Sequence, residues 1–190
     1  LKGNKGHIVF PSQLTDKWFL NNNIPDFNKI KLLYIGRIRV EKGIFSLLKI
    51  MKKIKSDLTL SVVGMEKYSD KNIEQKNVTI HKIETSEEKL INLYDEHSIF
   101  VLPSYTEGHP MVLLESLARL RPVIIFDEIK YVVNKKKGVF VSERTPESFL
   151  QKIDYIKDNY NKIQQEMKKN ILPSKKEFLK DLNNLIIKIN

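Results

Sequence analysis

The sequence predicts an α/β fold, a parallel sheet with helices on both faces, and three observations carry that expectation. Short apolar runs alternate along the chain with amphipathic helical segments, the rhythm of successive βαβ units. Runs such as Ile99-Phe100-Val101-Leu102 are apolar at every position, as strands buried on both faces require. With 190 residues and 41% hydrophobic content, the chain can bury a substantial core, and a single domain over residues 1–190 is expected.

Taken in order, His7 to Phe10 and Lys31 to Ile35 read as strands, with Asn21-Asn22-Asn23 an exposed loop between them. Gly43 to Lys55 reads as a helix because Ile44, Leu47, Leu48, Met51 and Ile54 share one face. A strand from Leu58 to Val63 follows, then a polar, short helical segment, then a strand from Val78 to His81. Ser86 to His97 is the next helix, with Ser86 as its cap and Glu87 and Glu88 favouring the positive end of its dipole. The Ile99 to Leu102 strand stops at Pro103, and a helix runs from Pro110 to about Leu120, proline being suited to a first turn. Val123 to Phe126 and Val139 to Val141 are strands on either side of an exposed Lys135-Lys136-Lys137 loop. Helices from Pro146 to Lys169 and from Pro173 to Ile189 come last. No internal repeat or low-complexity linker interrupts this order.

The formal charge of +10 raises the question of nucleic acid. Only five of the 33 basic residues are arginine, the lysines are spread among Glu and Asp, and no aromatic-rich ribbon or zinc-finger spacing accompanies them. A solvated lysine-rich surface is therefore expected, with peripheral contact to an anionic membrane as the alternative and no nucleic-acid partner. No apolar stretch is long enough to span a bilayer, and the first residues lack a signal-peptide pattern. The absence of cysteine rules out disulfides and thiolate metal sites and fits a reducing, cytoplasmic setting.

The seven glycines form neither G-x-G-x-x-G nor a P-loop, no G-x-S-x-G elbow is present, and the four histidines have no metal-site spacing. Chemistry must then use Arg, Lys, Glu and backbone donors. The informative acids are Glu107 and Glu115, eight residues apart. On one unbroken helix they would point roughly 80° apart, but Pro110 frees Glu107 to sit in a loop just past a strand's carboxyl end while Glu115 rides on the helix behind it. In an open α/β sheet that edge is where ligands bind, and the helix start adds free N–H groups and a positive dipole end.

The stretch Tyr105 to Glu115 resembles the E-x7-E signature of retaining, nucleotide-sugar-dependent glycosyltransferases of family 4, also called glycosyl transferases group 1, whose fold is named GT-B. Leu33-Tyr34-Ile35-Gly36-Arg37-Ile38-Arg39-Val40-Glu41-Lys42-Gly43 is similar to that family's opening strand and G-R…E-K-G loop. Leu60 to Gly64, Asn77 to Ile83 and Arg121 to Ile125 resemble three further blocks in the family's order. The resemblance implies the Rossmann-like, carboxyl-terminal, donor-binding half of a GT-B enzyme, of the kind used in cell-surface polysaccharide biosynthesis. It implies that Arg37 and Lys42 stabilise the departing diphosphate in place of a metal, with no cofactor beyond the nucleotide-sugar substrate. By the same resemblance, Gly36 permits a turn after the strand, and Gly43 lets the helix begin close to the ligand. Glu107 faces the transferred sugar, Glu115 accepts from the ribose hydroxyls, and Gly108, His109, Met111 and Val112 line the sugar and diphosphate. His81, Lys82 and Ile83 wall the base.

Three departures add side chains where the family commonly has glycine: Glu66, Lys82 and Arg121. They leave the base open and suggest a second expectation, a non-catalytic module of the same fold that docks to a partner or an anionic membrane because Lys82 and Arg121 close the pocket. In the enzymatic expectation, residues 1–30 hold an interdomain tail and the first strand, and residues 170–190 hold a helix crossing back to an acceptor-binding domain that precedes residue 1. The 190-residue piece is then expected to bind nucleotide sugar and to transfer nothing alone.

Overall fold

A computed structural model describes Val9 and residues 11–19, 29–54, 57–65 and 75–189. The expected His7 to Phe10 strand (apart from Val9), the Asn21-Asn22-Asn23 loop, the polar segment that follows Met65, and Glu66 lie outside the described residues. Six strands form one wholly parallel sheet: β1 (Lys31–Ile35), β2 (Thr59–Met65), β3 (Val78–Lys82), β4 (Ile99–Leu102), β5 (Val123–Phe126) and β6 (Val139–Ser142). Their spatial order is β3-β2-β1-β4-β5-β6. The chain runs outward from β1 to β3, then crosses to β4 and runs out the other way. β1 and β4 are neighbours at that reversal, and a crevice lies at their carboxyl ends.

Packing explains the strand composition. Every residue of β4 and β5 is buried, as a central parallel strand between two helical layers requires, and Leu33 pairs with Phe100 and Val101 with Ile124 across the ladder. β3 is an edge strand and mostly exposed. The predicted apolar face of α1 (Ile44–Lys53) is realised, with Ile44, Leu47, Leu48 and Met51 buried and Ile54 buried just beyond it.

Helix ends depart from the sequence expectation in instructive ways. Ser86 precedes α2 (Glu87–Asp95) but makes no side-chain cap; the Glu84 carboxylate instead accepts from the N–H groups of Thr85 and Ser86. Glu87 is taken by Thr15 and Trp18, which tie a short 3-10 turn, Asp16–Phe19, to the domain. The expected helix from Pro146 to Lys169 is two, α4 (Pro146–Asp158) and α5 (Tyr160–Met167). Asn159 breaks it: its side-chain amide donates to the Tyr155 carbonyl and its backbone leaves helical geometry, the competition that makes Asn a poor interior helix residue. α6 (Lys175–Ile189) starts after Pro173 through a reciprocal Ser174–Glu177 capping box.

Helix α3 (Met111–Ala118) ends in a Schellman motif, with Arg121 N–H donating to the Ser116 carbonyl and Leu120 N–H to the Leu117 carbonyl. The left-handed residue of that motif is Leu120, at φ 53°. The position that favours glycine is thus Leu120, and the expectation that put it at Arg121 is off by one residue. Arg121 is 1% exposed, donates to the carbonyls of Tyr94 and Asp95, and lies in the interior, so it does not close a surface pocket. The 3-10 segment Asp127–Val133, kinked at Ile129, was not expected from sequence.

Candidate functional site

The crevice is built from two loops clasped together. After β1, the Gly36 N–H donates to the Val63 carbonyl and the Tyr34 hydroxyl donates to the Arg37 carbonyl at 2.7 Å. A single 3-10 turn, Val40–Lys42, then delivers the chain to Gly43. Gly43 has φ 67°, and a Cβ there would stand 1.8 Å from the Pro103 carbonyl oxygen, so the start of α1 lies directly on the loop leaving β4. Gly64 makes a similar close approach at φ 137°, where a Cβ would meet the Gly36 carbonyl oxygen at 2.1 Å and where the β2–β3 register shifts. The Tyr105 N–H donates to the Glu41 carbonyl, joining the loops a second time.

Glu107 is the focus of the second loop. Its Oε1 accepts from Lys42 Nζ at 2.7 Å and from Ser104 Oγ at 2.6 Å. The Tyr131 hydroxyl donates to the Glu107 carbonyl at 2.6 Å and accepts from its N–H at 3.0 Å. Pro110 then caps α3, whose first-turn N–H groups on Met111 and Val112 have no intrahelical acceptor.

A cavity of about 320 Å³ brings together Gly36, Arg37, Lys42, Glu107, His109, Met111 and Val112, with Tyr34 and Ser104 also in its wall. The Arg37 guanidinium is exposed and makes no hydrogen bond or ion pair among the described residues. His109 has a ring nitrogen 2.9 Å from the Pro11 carbonyl. The remaining expected residues lie outside this cavity. Gly108 lines a neighbouring cavity of about 460 Å³ with Tyr131 and Leu172, and a Cβ on it would meet no atom within 4 Å. His81, Lys82 and Ile83 are exposed at the end of β3, two strands away.

Glu115 sits farther along α3, and its Oε2 accepts from the Tyr94 hydroxyl at 2.9 Å. Burial pushes the Glu115 carboxyl above its ordinary value, against the opposing pull of that hydrogen bond. Burial also raises the Tyr94 phenol, with Glu115 reinforcing it. The same holds for Tyr34, where burial leads and Glu107 adds to it. Both phenols therefore stay protonated donors at neutral pH.

Several contributors escaped the sequence reading. Ser104 stands three residues before Glu107 and had only proximity to mark it. Tyr131 and Tyr94 are distant in sequence and carried no local signal. Arg144, at the end of β6, braces the whole edge. It pairs with both Glu128 oxygens at 2.9 Å, donates to Ser46 Oγ and the Pro103 carbonyl, and lies 4.2 Å and 4.3 Å from the ring centres of Tyr105 and Phe126. Among the described residues no three His, Cys, Asp or Glu side chains converge to hold a metal ion, and no helix is long and apolar enough to cross a membrane.

Residues 16–172 match the family described as Glycosyl transferases group 1. The putative teichuronic acid biosynthesis glycosyltransferase TuaC of Bacillus subtilis is 30% identical over 95 residues, half of this chain and 24% of that protein. The probable sucrose-phosphate synthase of Thermosipho melanesiensis is 29% identical over 193 residues, 86% of this chain and 45% of that protein. The chain thus spans less than half the length of the curated relatives it matches. Among solved structures, a sucrose-phosphate synthase from Thermosynechococcus elongatus superposes with a TM-score of 0.73 at 19% identity, covering 95% of this chain and 52% of that one. The carboxyl-terminal domain of a glycosyl transferase group 1 family protein from Francisella tularensis superposes at 0.57 and 21% identity, covering 85% and 91%. These structural likenesses establish a shared fold.

Proposed function

The chain belongs to the glycosyl transferases group 1 family, and from that premise we propose that it is the donor-binding part of a retaining, metal-independent glycosyltransferase that takes a nucleotide-diphospho-sugar. The observation that carries this reading is the cavity at the sheet's reversal point, where Arg37, Lys42, Glu107 and the start of α3 converge. Breaking the bond between the anomeric carbon and the diphosphate places negative charge on the leaving group and oxocarbenium character on the sugar. Arg37, Lys42 and the N–H groups of Met111 and Val112 are the donors that take the phosphate charge, Lys42 and the N–H groups being preorganised by the clasped loops. Glu107 receives sugar hydroxyls, and Gly108, with open space on its side, lets the donor approach the backbone. Glu115 accepts from the ribose with its carboxylate held by Tyr94, and His81, Lys82 and Ile83 wall the base from the neighbouring strand end.

The acceptor, a glycan, a lipid or another hydroxyl compound, is presented from a facing domain, so residues 1–190 bind donor without transferring sugar. The relative named for teichuronic acid biosynthesis supports an acceptor in cell-surface polysaccharide assembly. The donor-site reading is preferred over a non-catalytic module because Arg121, one of the two side chains expected to close the pocket, is in the core.

Thermal melts with UDP, GDP and ADP test the reading. At a ligand concentration a hundredfold above Kd, binding stabilises the fold by about 2.7 kcal/mol, a rise of roughly 5–10 °C for a chain of this size. At least one nucleotide should produce it, and Arg37→Ala or Glu115→Ala should abolish it. A melt unmoved by all three at millimolar concentration contradicts the assignment.

A further inference from the structure

Resting on the donor-binding reading, we propose that the Lys42–Glu107 ion pair, fixed by Ser104 and Tyr131, makes this site favour an intact nucleotide sugar over the bare nucleoside diphosphate left after transfer. One carboxylate oxygen, Oε1, takes both Lys42 Nζ and Ser104 Oγ. The Glu107 side chain is only 9% exposed, and its backbone N–H and carbonyl are both held by the Tyr131 hydroxyl. The negative charge therefore cannot swing away from Lys42 into water.

An incoming diphosphate meets a cation whose field is already offset by a neighbouring anion, and that anion repels it. A sugar changes the balance. Its hydroxyls donate to Glu107 Oε2, which has no hydrogen-bond partner among the described residues, and such charge-assisted bonds compensate the repulsion. Once the sugar has left, the compensation goes and the repulsion stays, so the diphosphate is released. Ser104 and Tyr131 are positioning residues in this scheme, since neither needs to touch the donor.

Isothermal titration of the parent protein, Glu107→Gln and Tyr131→Phe with UDP, GDP and ADP, and with their glucose conjugates, tests the idea. Glu107→Gln should bind the preferred diphosphate about tenfold more tightly than the parent, a gain of about 1.4 kcal/mol, and bind the conjugate no more tightly. Tyr131→Phe keeps the charge but frees the loop, and should move the ratio of the two affinities the same way by less. Equal or weaker diphosphate binding by Glu107→Gln, with the parent binding normally, overturns the proposal and leaves the donor-site reading standing. Binding by none of the proteins overturns both. Should Glu107→Gln melt as an unfolded chain, Tyr131→Phe and Ser104→Ala decide it, and an unchanged affinity ratio in both counts against the proposal.

Discussion

Glu115 sits where burial and a phenol act in opposite directions. Burial favours its protonated form, and the Tyr94 hydroxyl favours the carboxylate. Only the ionised group is purely an acceptor for ribose hydroxyls, so nucleotide affinity should rise with pH up to and through the elevated folded-state value of Glu115 and then level off. Tyr94→Phe removes the bond that favours ionisation and should displace that rise to higher pH. Comparing Kd against pH in the two proteins checks this, because ionisation of the nucleotide's own phosphate is common to both; superimposable profiles contradict it. The stability consequence has the opposite sense. The folded state holds the Glu115 proton more tightly than the unfolded chain, so this group's contribution is fully present below pH 4.5 and is lost as pH rises through the folded value. At this scale Arg37, Lys42 and Glu107, which meet in the cavity, stand in recognisable local motifs, whereas Tyr94, Tyr131 and Arg144 do not, because each reaches its partner through chain reversal.

Elements meet the site through loops, and Gly43 is the tightest junction. A methyl there faces both a left-handed backbone and the Pro103 carbonyl, so Gly43→Ala must push α1 away from the loop after β4. Left-handed strain of about 1 kcal/mol and overpacking of about 1–3 kcal/mol together predict a loss of roughly 2–4 kcal/mol in urea unfolding, with the nucleotide-induced rise in Tm abolished. Gly108→Ala is the matched control, since its Cβ meets no protein atom within 4 Å. It should unfold within about 0.5 kcal/mol of the parent yet bind nucleotide sugar more weakly. Wild-type stability and binding in Gly43→Ala are the results that contradict this account. Periodicity located α1 and the buried strands well, but it missed the break at Asn159, where one side-chain hydrogen bond outweighs a continuous helical pattern. Nothing in the local pattern marks Leu120 as left-handed, because a leucine occupies a position usually signalled by glycine.

For the molecule as a whole, a buried charge cluster ties the helical layer together. Arg119 pairs with both Asp95 oxygens at 2.9 and 2.6 Å and also donates to the Trp18 carbonyl. Arg121 approaches the same carboxylate at 3.6 Å, and both guanidinium side chains are 1% exposed. Asp95→Ala would remove the carboxylate that two interior guanidinium groups share, a cost of about 3–5 kcal/mol, a large share of a domain's total of about 5–15 kcal/mol. Urea titration should show the midpoint falling with an unchanged m-value; a shift below about 1 kcal/mol means that the cluster is locally compensated. Nothing in the composition marks these arginines as internal, and the expectation that Arg121 closes the pocket did not foresee its burial. Local pattern alone determined the α/β class, the strand sequence, the family likeness and the residue types of the site, because alternation, proline and glycine act within a few residues. Tertiary structure decided the sheet order, the reversal that opens the crevice, the pairing of Lys42 with Glu107, and the separation of Glu115 and the His81–Ile83 loop end from that cavity. Those depend on which strands become neighbours and on what burial does to a charge, and both are properties of the packed chain.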